Sequence, residues 1–339
     1  MFDRKDACVW VRTTIAGLLA FFAVGCQSQQ KLLALFPFGH QSRQEAVDLY
    51  VDAVALREND DNDKAIQKLN QALKVNNRFS IAYSLLGEIY EEAENYPKSA
   101  ASYKTATELN PWSFKDYLSL ARVYQTMKEF APAAKAYARA CDLKPDNLEA
   151  HLDTARCLYQ VNDYNNALIY TEKAEKIEPG AVEPYQLLGS IHDARKSYEL
   201  ASKAYKRALE IDPNNPVVMT SLAVAYLRTN RYEPAKELLT TVIRLQPENN
   251  AAYQHLGYCL LRLDDVNQAI ESYKKAIEIN KQDWEAYRGL GVAYMMRGIK
   301  NEDTGLKVQA VELWRQSLNI KPDQPKRDRL VKLIEKYSK

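Results

Sequence analysis

A 34-residue spacing recurs along most of this chain, and it constrains the fold more than any other feature. One unit of the spacing is Val182–Asn215. Large and small apolar residues recur there at separations of three or four residues in two stretches, and a proline follows: Tyr185, Leu188, Gly189, Ala201, Tyr205, Ala208 and Pro213. Such separations place residues on one face of an α-helix. Each unit therefore predicts two helices, with small residues where their backbones approach and a turn at the proline.

Three sets of residues, each spaced 34 positions apart, support the repeat. Steps of 34 from Gly189 meet only small residues: Ala53, Gly87, Ala121, Ala155, Ala223, Gly257 and Gly291. Steps from Ala201 also meet small residues: Ala65, Ser99, Ala133, Ala167, Ala235 and Ala269. Steps from Pro213 fail only at Asn77 and Lys281 and otherwise meet four further prolines: Pro111, Pro145, Pro179 and Pro247.

These sets predict eight repeats between residues 46 and 322. Their bounds are 46–79, 80–113, 114–147, 148–181, 182–215, 216–249, 250–283 and 284–322. The last repeat keeps the pattern only with seven inserted residues between Gly298 and Val308, where we expect a loop.

This pattern resembles the tetratricopeptide repeat, a 34-residue helix-turn-helix unit. The resemblance implies an all-α fold, namely a right-handed α-solenoid whose first helices line a groove that binds peptides or proteins. Each repeat would contact only its neighbours, so we expect no internal domain boundary. Residues 323–339 have apolar residues on one helical face and basic residues on the other, and they are predicted to form a C-terminal capping helix.

Composition and motifs argue against several classes of function. The formal net charge is +2, which is not typical of a nucleic-acid-binding protein. The sequence contains no P-loop, GxSxG or HExxH motif, and its four histidines are scattered. His192 and Asp193 are adjacent, but neighbouring helical side chains point about 100° apart. We expect no catalytic residue, no metal site and no cofactor.

Three cysteines fall at predicted core positions: Cys141, Cys157 and Cys259. We interpret them as buried small residues. Cys141 and Cys157 belong to adjoining helices, so a disulfide between them is an alternative if their geometry permits it.

Residues 1–25 differ in character from the repeats. Three basic residues precede the uncharged stretch Thr13–Gly25, which is too short to span a bilayer and predicts a secretory signal. The stretch Ala23–Cys26 resembles the bacterial lipobox, so the chain resembles a bacterial repeat lipoprotein that is cleaved before Cys26 and lipidated there. Gln27, rather than Asp, would direct it to the periplasmic face of the outer membrane. A signal that is only cleaved, or retained as an anchor, remains an alternative.

Residues 26–45 are predicted to be a tether or N-terminal cap. Their apolar run, Leu32–Phe38, either packs on the first repeat or lies at the lipid surface.

The resemblance places positions 9 and 12 of each first helix in the groove. In the third and fourth repeats these positions hold Arg122, Arg156 and Tyr159. Arginine side chains on one wall suit a partner's carboxylate. Alternatively, the two arginines pair with Glu149 and Asp153.

In the sixth to eighth repeats the same two positions form a mostly apolar stripe. Its members are Val224, Leu227, Tyr258, Leu261, Val292 and Met295. An exposed apolar stripe usually marks a partner surface. Alternatively, the C-terminal helix Lys326–Tyr337 covers it.

These observations favour a non-catalytic scaffold or adaptor of the bacterial cell envelope, anchored in the membrane through Cys26 and binding a protein or peptide in its groove. Two other functions remain open. One is a regulatory subunit that docks a separate enzyme of peptidoglycan or glycosyl-transfer chemistry, and the other is self-assembly into a homo-oligomer.

Overall fold

The computed structural model describes residues 40–338, and every regular element in that range is an α-helix. The helices are α1 (His40–Glu58), α2 (Asn62–Val75), α3 (Ser80–Glu92), α4 (Tyr96–Leu109), α5 (Phe114–Thr126), α6 (Phe130–Leu143), α7 (Leu148–Gln160), α8 (Tyr164–Ile177), α9 (Val182–Ala194), α10 (Tyr198–Ile211), α11 (Pro216–Arg228), α12 (Tyr232–Leu245), α13 (Asn250–Arg262), α14 (Val266–Ile279), α15 (Trp284–Lys300), α16 (Thr304–Ile320) and α17 (Arg327–Tyr337). Consecutive helices pack in pairs, which confirms the predicted all-α repeat fold. None of the described helices is both long and apolar enough to cross a bilayer.

Helix boundaries follow the sequence period closely. From α3 onward, the first helix of each pair begins at the residue where the predicted repeat begins, from Ser80 to Trp284. Helix α1 is the exception, because it begins at His40, six residues before the predicted first repeat. The predicted signal, Cys26 and Leu32–Phe38 lie outside the described residues.

Local side-chain chemistry explains where the helices start. Asn215 and Asn249 accept hydrogen bonds from the backbone N–H groups of Val218 and Ala252, so they cap α11 and α13. Between the two helices of each pair, one residue other than glycine adopts a left-handed backbone. These residues are Asp60, Glu94, Lys128, Asn162, Lys196, Asn230, Asp264 and Glu302. The turn geometry is therefore imposed by the packed helices rather than by glycine.

The connection within the last helix pair is shorter than the predicted loop. Helices α15 and α16 have 17 residues each, and only residues 301–303 separate them. The inserted residues lengthen both helices, so the expectation of a long loop between Gly298 and Val308 is wrong. Asp303 caps the extended α16 by accepting from the Leu306 N–H group, which stabilises this start of the helix.

The described residues divide into two compact units, with the boundary between Asp116 and Tyr117 in α5. In the first unit α1 packs on α2, and α3 packs on α4. In the second unit each helix from α6 to α16 packs on the next helix. Because a repeat array has no core common to the whole chain, local apolar clusters form, one around Leu69 and another around Leu239.

Within a repeat, the two helices meet where a small residue faces a large side chain. A methyl group added to Gly189 would lie 2.3 Å from the Tyr205 ring. The same contact would be 2.7 Å between Gly87 and Tyr103. These distances are shorter than van der Waals contact, so only glycine fits against these rings.

The pairing of sizes extends to repeats that lack glycine. Ala53 and Leu69 occupy the repeat positions that Gly189 and Tyr205 hold, and so do Ala223 and Leu239. Compared with the Gly–Tyr pairs, the first-helix residue is larger and the second-helix residue is smaller. Ala121, which aligns with Tyr137, departs from this rule. The total volume at the contact is thus nearly conserved.

We expect Gly189→Ala to lower the free energy of unfolding by about 1–3 kcal/mol, because the added methyl group overpacks the contact with Tyr205. Urea unfolding followed by circular dichroism measures the change. Gly180→Ala is the matched control, since a methyl group added there meets no heavy atom within 4 Å beyond its chain neighbours. Adding Tyr205→Leu should recover part of the loss. Equal effects of Gly189→Ala and Gly180→Ala would contradict the size-pairing explanation.

Candidate partner-binding groove

A cavity of about 900 Å³ lies in the second unit, between the first helices of the last three pairs and the C-terminal helix. Helices α11, α13 and α15 supply most of its apolar lining: Val224, Leu227, Tyr258, Leu261, Val292 and Met296. Because the repeat period is 34 residues, equivalent positions of successive helices align along one wall. We call this cavity the groove.

The groove contains five of the six residues predicted for the apolar stripe. Tyr258 and Val292 are 41% and 37% exposed, whereas Leu227 is only 7% exposed. Met295 does not line the groove. It is buried in a cluster with Trp314 and Leu330, so the expectation that Met295 faces the groove is wrong. Its neighbour Met296 lines the groove instead, because adjacent helical residues point in different directions.

The C-terminal helix α17 both caps the array and forms part of the groove. Leu330 packs on Met295 and Trp314, as expected of a cap. Lys326 and Arg329 line the groove together with Leu330. The helix leaves Tyr258 and Val292 exposed, so it does not cover the stripe as the alternative interpretation required.

A smaller cavity of about 320 Å³ adjoins the groove through their common residue Val224. Asp193, Tyr205 and Ser221 contribute polar groups to it. Asp193 Oδ1 is buried and has no hydrogen-bond partner. Burial raises the pKa of the Asp193 carboxyl, and the charge of Arg228 offsets this only in part. An N–H group of a bound segment would satisfy this oxygen.

Asp193 holds position 12 of its repeat, a groove position, but it is not among the predicted site residues. Its signal was a carboxylate at the position that holds Leu227 and Leu261 in later repeats. Only the structure shows that one of its oxygens lacks a partner.

Asp193→Asn should raise the melting temperature at neutral pH by about 1–2 °C, because it removes a partly buried charge that opposes folding. The pKa of Asp193 is raised in the folded state, so wild-type stability should fall as pH rises from about 4 through that pKa. The advantage of the variant should therefore shrink as pH falls toward 4. Calorimetry between pH 4 and 8 measures this. A variant that is less stable than wild type at every pH would contradict the assignment.

The structure gives the predicted arginines local partners outside the groove. Arg156 Nη1 lies 2.7 Å from Asp153 Oδ1, and Arg122 Nη2 donates to Ser119 Oγ over 3.3 Å. Both arginines are exposed, and the Tyr159 ring packs against Tyr164 with centroids 5.7 Å apart. These residues lie on α5 and α7 and do not join the lining of the groove.

The first unit contains a cavity of about 510 Å³ whose cations are already paired. Arg57 and Lys115 both bind the Glu88 carboxylate, at 2.5 Å each. Burial opposes ionisation of Glu88, but the hydrogen bonds from Lys115 and Arg57 outweigh it and lower its pKa. This cavity therefore offers few unpaired cations to a ligand.

The cysteines and His151 are packing residues. Cys141, Cys157 and Cys259 are buried free thiols. Burial raises the pKa of Cys157 to about 12 and that of Cys259 to about 11, which makes both thiols unreactive. His151 Nε2 hydrogen-bonds with the Pro145 carbonyl oxygen at 3.0 Å. Within residues 40–338, no group of three His, Cys, Asp or Glu side chains is arranged to hold a metal ion.

Comparison with known proteins agrees with this repeat architecture. The family described as "Cilia and flagella-associated protein 70 C-terminal domain", a tetratricopeptide-repeat family, matches residues 29–290, which is most of the chain. The chain belongs to this tetratricopeptide-repeat family. No curated protein matches it.

Solved tetratricopeptide-repeat structures share the fold at low sequence identity. The C-terminal part of a repeat protein from Cytophaga hutchinsonii is 17% identical, with 72% of this chain and 98% of that chain covered and a TM-score of 0.56. A chain of the APC/C hetero-tetramer Cut9-Hcn1 is 15% identical, with 91% of this chain and 58% of that chain covered and a TM-score of 0.54. At these identities the similarity shows the fold alone.

Proposed function

We propose that this tetratricopeptide-repeat protein is a non-catalytic interaction scaffold that binds a segment of a partner protein in the groove. The observation that carries the proposal is the apolar wall formed by Val224, Tyr258, Leu261 and Val292 on three successive first helices. Tyr258 and Val292 are exposed, and Val224 and Leu261 are half-buried. Apolar side chains aligned in a recess of about 900 Å³ can bury a partner's side chains without rearranging the scaffold.

The geometry of the wall suits an extended or helical segment. Equivalent residues recur along it once per repeat, so a ligand that lies across α11, α13 and α15 contacts the same position three times. Tyr258 is the central exposed aromatic residue of the wall, and aromatic residues commonly dominate binding energy. The unpaired Asp193 oxygen in the adjoining cavity would accept a hydrogen bond from the same segment.

The second part of the proposal concerns location. We propose that Cys26 is lipidated and that the scaffold acts at the periplasmic face of a bacterial outer membrane. The support is the lipobox-like sequence that ends at Cys26, preceded by basic residues and the uncharged stretch Thr13–Gly25. More than one acyl chain would hold the protein stably on a membrane.

The combined substitution Tyr258→Asp and Leu261→Asp should abolish recovery of the partner in crosslinking and pull-down from native membranes, because it places two charges on the apolar wall. The matched control is Ile169→Asp with Val308→Asp, which alters two exposed apolar residues that do not line the groove. Circular dichroism checks that both variants fold. Recovery of the same proteins by all forms would show that the groove is not the binding surface. A chain that captures only its own copies would indicate self-assembly.

Cys26→Ser should move the protein from the membrane fraction to the soluble fraction, because the lipid attachment site is lost. Fractionation after expression with its own N-terminal segment measures this. A variant that stays in the membrane fraction would overturn the lipid-anchor proposal and favour a retained signal anchor. Mass spectrometry of the wild-type N-terminus then identifies the retained segment.

A further inference from the structure

We infer that the segment bound in the groove is acidic as well as apolar, and that the C-terminal helix α17 takes part in recognising it. This inference rests on the proposed function, because it names the partner chemistry of the same groove. It extends the role of α17 beyond capping the array.

The charges around the groove are strongly unequal. Five cationic side chains line it: Arg228, Arg262, Arg288, Lys326 and Arg329. Glu285 is the one carboxylate in the lining. The whole chain has a formal net charge of only +2, so this concentration of positive charge is local. A recess with charge of one sign favours a ligand of the opposite sign.

These cations are available to a ligand. Among the described residues, none of the five forms an ion pair with an acidic side chain. The Arg262 guanidinium lies 5.1 Å from the Tyr232 ring centroid, and the Arg288 guanidinium lies 4.8 Å from the Trp284 ring. Arg288 Nη1 also donates to the Pro325 carbonyl oxygen over 3.2 Å. These neutral partners orient the guanidinium groups and leave their charge uncompensated.

The first unit provides an internal contrast. Its cavity also contains cations, but Arg57 and Lys115 both bind Glu88 there. Cations without an ion-pair partner therefore distinguish the groove of the second unit from the cavity of the first unit.

The arrangement of charges and apolar groups matches an amphipathic segment. Arg228 and Arg262 are the last residues of α11 and α13 and hold equivalent repeat positions. Lys326 and Arg329 come from the other side of the lining, at the start of α17. The apolar wall includes Tyr258. A segment with apolar residues on one face and carboxylates on its flanks would satisfy both features.

Other occupants fit less well. A flat lipid surface does not enter a recess between helices, and single-stranded nucleic acid needs several exposed aromatic rings, whereas the wall is mainly aliphatic. The chain's own apolar run Leu32–Phe38 has no acidic residue before Glu45, so it lacks the complementary charge.

The test uses three labelled peptides of about 16 residues, with Leu and Phe at helical spacing and with Glu, Gln or Lys at all intervening positions. Fluorescence anisotropy with the purified soluble form of the chain, Cys26→Ser, at about 50 and 300 mM NaCl gives the affinities. We expect the Glu peptide to bind at least about tenfold more tightly than the Gln peptide, and the Lys peptide not to bind. The preference should weaken at the higher salt concentration, because salt screens exposed charges.

Two charge-reversed variants distinguish the effect of the cations that line the groove from the effect of the protein's net charge. Arg228→Glu with Arg329→Glu should lose the preference for the Glu peptide. Arg244→Glu with Lys332→Glu changes the net charge equally, at exposed residues that do not line the groove, and should behave like the unreversed protein. Equal loss in both variants would overturn the inference.

The remaining outcomes distinguish this inference from the proposed function. If the Glu and Gln peptides bind equally, and Tyr258→Asp with Leu261→Asp abolishes both, the groove binds segments but acidity is not recognised. If no peptide binds and that variant still captures the partner from membranes, the groove assignment fails and this inference fails with it. Binding to phosphatidylglycerol vesicles that depends on Arg228 and Arg329, without binding of the Glu peptide, would overturn the inference in favour of lipid.

Discussion

The contact between a small residue on the first helix and a large side chain on the second is the interaction on which each repeat depends. Gly189 against Tyr205 is the tightest case in the central repeats, with 2.3 Å between the ring and an added methyl group. Because the ring occupies the space that a side chain would fill, the two helix backbones lie close together. Residues on the opposite face of the first helix then point away from this contact, and they are free to form a binding wall.

The groove follows from repetition of that arrangement. Val224, Tyr258 and Val292 hold the same position in three successive repeats, so they align when the repeats pack. Leaving these apolar side chains in contact with water is unfavourable, at roughly 25 cal/mol for each Å² of apolar area. A partner that covers them recovers this free energy, which is the physical basis of the proposed scaffold role.

The C-terminal part of the chain shows how one segment serves two purposes. Leu330 completes the apolar cluster with Met295 and Trp314, so α17 closes the end of the array. The same helix brings Arg329 to the groove, together with Lys326, the residue that precedes its first turn. The end of a repeat array must be covered by a helix that is polar on its outer face. Here the polar side chains are basic, and their position beside the apolar wall gives the groove its charge.

The sequence alone determined the helix content, the repeat period and most helix starts, because small residues, prolines and capping residues recur every 34 positions. The resemblance to the tetratricopeptide repeat also placed Val224, Leu227, Tyr258, Leu261 and Val292 on the groove wall, because it assigns positions 9 and 12 of each first helix to the groove. Tertiary structure alone decided the burial of Met295 against Trp314 and Leu330 and the extension of α15 and α16, because contacts between separate helices fix both. It also decided which charges are paired: Arg156 forms an ion pair with Asp153, whereas Arg228 and Arg329 form none among the described residues. Pairing depends on distances between separate helices, which a one-dimensional pattern does not contain.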